Sequence, residues 1–105
     1  MIIRTIPRFE FDRLLPQNSI IEHLAVEQVD WFANASGNLL GTIAKGKSVA
    51  GWNYMIFKRN KEGDFQIHKV MNSFFSRKAA TDDLLISMAE VAIEQPDLAV
   101  PLGRD

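Results

Sequence analysis

Gly41-Thr42-Ile43-Ala44-Lys45-Gly46-Lys47-Ser48 reads G-x-x-x-x-G-K-[ST] letter for letter. In a phosphate loop of that form the backbone amides cradle phosphates, the lysine reaches the terminal ones and the serine hydroxyl holds magnesium. The chemistry needs a buried parallel strand before the loop and a helix directly after it. Here Ser48 leads into Val49-Ala50-Gly51 and then into an alternating aromatic run, where the helix should be established. No convincing apolar strand ending in a magnesium-binding aspartate appears elsewhere in the chain. This context favours a plainer reading, with Gly41 a strand or bulge glycine and Gly46 a loop glycine.

A weaker site survives without the phosphate loop. The net charge of −1 conceals segregation: residues 1–44 balance at −2, residues 45–78 at +6 and residues 79–105 at −5. In a meander of strands, the 45–51 loop and the 71–78 connection leave the sheet at the same end. That places Lys45, Gly46, Lys47 and Ser48 near Arg77 and Lys78 at the start of the last helix. Free helix amides, the positive end of the dipole and several cations make an anion site physically reasonable. The competing reading is solvated charge at a loop end, partly balanced by Asp82 and Asp83.

The remaining candidates are sparse. With no cysteine there are no disulfides, thiolate metal sites or cysteine nucleophiles. His23 and His68 are the only histidines and lie on different elements, so no metal or other cofactor is expected. None of the six serines sits in a G-x-S-x-G elbow. Asp82 and Asp83 are adjacent on a helix and diverge, which suits charge near a helix start better than a catalytic pair. Trp31, Trp52, Tyr54 and Phe65 offer a stacking platform for single-stranded nucleic acid, but their alternation matches an inward, core-facing role better. An enzyme is therefore not expected.

The elements that position these residues centre on Gly51-Trp52-Asn53-Tyr54-Met55-Ile56-Phe57, the most aromatic and strand-like run. At 105 residues, 47% of them apolar, the chain suffices for one packed domain. Its core spans about 26–93, with 1–18 and 97–105 loosely attached. Ser19-x-x-Glu22 is a capping box for a short N-terminal helix running to about Ala25. Strands are expected at 29–33, 39–44, 52–58 and 65–71, with turns at 34–38 and 60–63. Gly37 supplies the positive φ of a tight hairpin. Short connections favour an antiparallel meander, since parallel strands need long crossovers. From Ser76, a plausible N-cap, apolar residues recur with helical spacing at Ala80, Leu84, Met88 and Val91–Ala92, until Pro96 stops the helix.

The expected fold is thus α+β: a four-stranded antiparallel β-meander with a C-terminal helix packed on one face and a short N-terminal helix. Trp52, Tyr54 and Ile56 share one face of the central strand, and Phe65, Ile67 and Met71 share one face of the fourth. Met55, Phe57 and Val70 fall on the other sheet face with Asn53, Gln66 and His68. That half-apolar face is either covered by the N-terminal segment, the favoured case, or used as a partner surface.

Asp30-Trp31-Phe32-Ala33, Gly37-Asn38, Leu40-Gly41-Thr42-Ile43, Gly51-Trp52-Asn53-Tyr54 and Gly63-x-Phe65 resemble the pattern of a small uncharacterised bacterial domain family. The resemblance covers roughly residues 26–90. Its turn glycines and core aromatics speak for fold, and the family carries no assigned activity to transfer. The reading that fits best is a non-enzymatic binding or interaction module with a protein partner, a homodimer joined by a sheet edge or uncovered face being one form. Nucleic-acid or nucleotide-phosphate binding through the basic 45–51 and 76–78 end is the second reading. No apolar run approaches the ~20 residues that cross a bilayer, and no signal-peptide core is present, so a cytoplasmic protein without a membrane partner is expected.

Overall fold

A computed structural model of the chain describes residues 3–15, 26–46 and 51–94. The elements run β1 (Ile3–Thr5), α1 (Arg8–Leu14), β2 (Val26–Asn34), β3 (Leu39–Gly46), β4 (Trp52–Arg59), β5 (Phe65–Phe74) and α2 (Arg77–Glu94). The strands form one antiparallel sheet in chain order, from β1 at one edge to β5 at the other. The meander is present, with five strands where four were expected. The additional one, β1, pairs Ile3 with Asn34 and Thr5 with Phe32. Three residues ending near Pro7 are too short to show a period of two, so only the pairing reveals it. The capping-box helix at 19–25 and the tail at 97–105 lie outside the described residues.

The hairpins follow from turn chemistry. At the β2–β3 turn Gly37 has φ +75°, and the Asn34 side-chain oxygen accepts the Leu39 amide at 3.1 Å. At the β4–β5 turn Asn60 Oδ1 accepts the amides of Glu62 and Asp64 at 3.0 and 2.9 Å, closing the chain on itself.

On one face α2 packs Ala80, Leu84, Met88 and Val91 against Phe32, Leu39, Ile43, Tyr54 and Ile56. Ser76 caps the helix as expected, its hydroxyl accepting the Ala79 amide at 3.1 Å. Gly41, in the middle of β3, is what lets the helix come this close. A methyl group there would lie 2.9 Å from Met88 Sδ and 3.0 Å from Leu84 Cδ1. The first glycine of the phosphate-loop match is thus a packing glycine under a helix, and β3 runs on into an antiparallel hairpin with β4. A strand that must feed a phosphate-binding helix cannot be half of that hairpin.

The opposite face is covered by α1. Ile6, Phe11 and Leu15 pack on Ala33, Leu40, Met55 and Phe57, with the rings of Phe11 and Phe57 edge to face at 6.3 Å. Met55 and Phe57 are therefore buried and offer no partner surface, whereas Val70 from the same set stays exposed. Residues 3–15 of the expected loose segment 1–18 are attached to the core through Ile6, Phe11 and Leu15, and the remainder of that segment lies outside the described residues. Among the described residues the sheet lies between α1, of seven residues, and α2, of 18.

Two irregularities in β5 change which side chains share a face. Between Ile56 and Phe57 of β4 the partner moves from Lys69 to Ile67, and between Trp52 and Tyr54 it moves from Phe74 to Met71. Each inserts one extra residue into β5 and inverts the alternation beyond it. Phe65, Ile67 and Val70 consequently lie on the α1 side, while Gln66, Lys69 and Met71 lie on the α2 side. Strict alternation had grouped Met71 with Phe65 and Ile67, and Gln66 with Val70.

Candidate functional site

The basic end of the sheet is assembled in outline. Lys45 pairs with Trp52, and Trp52 with Phe74, so the end of β3 is level with the chain as it enters α2. The charges there are already engaged. Arg77 donates two hydrogen bonds to the Asp30 carboxylate at 2.7 and 2.6 Å, which raises its pKa further. Lys78 donates to Asp82 at 2.7 Å one helical turn along, and Lys45 lies 5.8 Å from the centre of the Trp52 ring. A bidentate guanidinium–carboxylate pair satisfies the arginine's fork, so an incoming phosphate would have to displace Asp30. Lys47 and Ser48 lie outside the described residues. Gly46 closes β3, its amide donating to the Gly51 carbonyl at 3.4 Å.

A chemically richer cluster joins α2 to β4 and β5. Lys69 Nζ donates to Ser87 Oγ at 3.1 Å, Ser87 Oγ is 3.0 Å from Tyr54 Oη, and Tyr54 Oη donates to Asp83 Oδ2 at 2.6 Å. With the phenol proton committed to Asp83, the Ser87 hydroxyl donates to the phenol oxygen, and a one-way relay runs from ammonium to carboxylate. Burial, then the hydrogen bond to Asp83, pushes the Tyr54 pKa above its ordinary value of 10.0. Acid–base chemistry needs a substrate in reach, and Tyr54 and Ser87 are both buried. The relay is a polar clasp that fixes α2 over the sheet. Its sequence signal was Asp83 and Ser87 four residues apart on one side of a helix, which core-directed reading passes over. His68 is exposed on β5 and, among the described residues, no group of three histidines, cysteines or carboxylates could hold a metal ion.

The third region is the edge formed by β5. Its inner side pairs with β4, and among the described residues no strand lies along its outer side. Ile67 and Val70 are each 43% exposed on the α1 side, Met71 is exposed on the α2 side, and Phe75 just past the strand is fully exposed. Ile86 adds an exposed apolar side chain on α2. Beside the start of β5 lies a groove of about 560 Å³. It is lined by Leu14 and Leu15 from the end of α1, by Phe57, Phe65 and Ile67 from the sheet, and by Arg13 and Arg59. The Arg59 guanidinium sits 4.6 Å from the centre of the Phe65 ring, donates to the Gly63 carbonyl at 3.2 Å, and keeps a buried Nε with no partner.

A fold-level signal for this edge was available, because the last strand of a meander is always terminal in the sheet. Which of its residues are exposed depends on the two bulges and was not readable. Comparisons of the chain with known protein families, with curated proteins and with solved structures return no match.

Proposed function

We propose that the chain is a non-enzymatic interaction module that works by sheet extension along β5, with a second copy of the chain as its partner. One observation carries this reading: a ten-residue strand, with no strand along its outer side among the described residues, leaves Ile67, Val70 and Met71 exposed. Proteins ordinarily blunt such edges with short strands, prolines, bulges or charges, because an open ladder recruits another strand; in β5 two bulges flank Lys69–Met71, which remains the regular stretch able to pair. Here β1, the opposite edge, is only three residues long, whereas β5 is ten residues long and proline-free, with Ile67 and Val70 exposed on its α1 side and Met71 exposed among polar neighbours on its α2 side. Main-chain hydrogen bonds along an edge supply affinity, and the alternate side chains supply selectivity.

Light scattering tests the proposal. Between about 10 µM and about 1 mM the mass rises from 11.9 kDa toward that of a dimer, while Ile67→Lys/Val70→Lys stays monomeric. Both positions are exposed, so the substitutions leave the monomer fold intact. A wild-type mass fixed at 11.9 kDa, or equal association by the variant, contradicts the proposal.

A further inference from the structure

We infer that two copies pair β5 with β5 in antiparallel fashion about a two-fold axis at Val70, each seating its Phe75 in the groove beside the other's α1. The inference rests on the reading of β5 as the working edge and adds to it a register and a receiving site.

Three observations select this register. First, the bulges of β5 fall on either side of Val70, one at His68 and the other at Asn72–Ser73, where Ser73 has φ +71° and its amide is held by Asn53 Oδ1 at 3.3 Å. Lys69–Met71 is the regular stretch between them, and an axis at Val70 sets this stretch against itself with bulge facing bulge. Second, the axis places Lys69 beside the partner's Met71 and not beside another lysine, so no like charges meet directly across the new pair. Third, positions equally far before and after Val70 face one another, which sets the partner's Phe74 opposite Gln66 and carries its Phe75, in the bend just past the strand, to the Phe65 end.

Phe65 lines the groove, and Phe75 is the most exposed large apolar residue described. The groove, at about 560 Å³, lies within the ~300–1,000 Å³ span of sites that enclose small organic groups, so an aromatic ring fits. Leu14, Leu15 and Ile67 supply apolar contact, and the Arg59 guanidinium already over Phe65 offers a second ring a cation to stack on. The two-fold makes the contact twice and closes the assembly, since both β5 edges are consumed and, among the described strands, the short β1 forms the other edge of each sheet. An axis perpendicular to the sheet leaves both α1 helices on one side of a continuous ten-stranded sheet and both α2 helices on the other.

The chain has no cysteine, so single-cysteine variants report the register cleanly. Directly opposed antiparallel residues have Cα atoms about 4.5–5.5 Å apart, within disulfide range. Val70→Cys therefore oxidises to a covalent dimer, whereas Lys61→Cys, in the hairpin loop, does not. Phe75→Ser weakens the dimer roughly tenfold or more in sedimentation equilibrium, as the loss of an aromatic anchor does. Phe75 is fully exposed in the single chain, so this variant folds normally. Cross-linking through Val70→Cys with undiminished affinity in Phe75→Ser overturns the groove contact and leaves the edge reading standing. A dimer that does not cross-link through Val70→Cys, or no dimer at all, overturns the pairing itself.

Discussion

Phe11→Ala lowers the stability of the domain by about 3–5 kcal/mol, the cost of emptying a fully buried phenylalanine site. Phe11 is the residue that seats α1, and its ring meets Phe57 edge to face at 6.3 Å. A helix of seven residues has no independent stability in water, so it exists only while this contact holds. Pro7 starts it without a side-chain cap, which leaves packing as the dominant restraint. The loss uncovers Leu40, Met55 and Phe57 together. Against the 5–15 kcal/mol typical of a whole domain this is a large fraction, and the thermal midpoint falls by more than about 10 °C. Urea denaturation followed by circular dichroism reads the change, and an environment-sensitive dye reports the uncovered face. A loss below about 1 kcal/mol would mean that α1 is not seated on the sheet.

Tyr54→Phe costs about 1–2 kcal/mol near neutral pH and changes the alkaline limb of stability. The substitution keeps the ring, with its stacking on Phe74 at 5.6 Å, and removes only the hydroxyl between Ser87 and Asp83. Ser87 is buried and loses its acceptor, whereas the half-buried Asp83 recovers water, which keeps the cost in the lower part of the range for broken buried hydrogen bonds. The pH dependence follows from the direction of the Tyr54 shift. Its pKa is raised in the folded state, so the folded protein holds the phenol proton more tightly than the unfolded chain does. The resulting stability is fully present below the ordinary value of 10.0 and is lost as pH rises through the higher folded value. The difference between wild type and Tyr54→Phe therefore narrows above about pH 10, where other groups titrate in both proteins and cancel. A difference that stays constant from pH 8 to pH 11 would place the phenol outside the clasp.

Much of the fold was legible because its cues are local. Alternation through Trp52, Tyr54 and Ile56 marked the central strand, Gly37 marked a hairpin, and Ala80, Leu84 and Met88 marked the buried stripe of α2. The parts that were not legible depend on distant pairings. The three residues of β1 are defined by Asn34 and Phe32 across the sheet, and α1 by the pocket that Phe57 helps to form. The bulges of β5 arise from mismatched spacing against β4, and no property of His68 or Asn72 alone announces them.

The same distinction separates the candidate sites. A letter-perfect phosphate-loop pattern and a run of cations were conspicuous in one dimension. Asp30, 47 residues from Arg77 in the chain, neutralises the arginine in three. That β5 ends the sheet among the described residues is a property of topology, and the exposure of Ile67 and Val70 on it is a property of packing.

If β5 is the edge through which two copies of the chain pair, its amides gain protection as the dimer forms. Amide hydrogen exchange of the wild-type protein at about 20 µM and about 1 mM tests it most directly. Amides within residues 66–72 exchange more slowly at the higher concentration, with Ile3–Thr5 and residues 76–78 unchanged. Protection that grows along Ile3–Thr5, or around Lys45, Arg77 and Lys78, while β5 exchanges at the same rate, would contradict it.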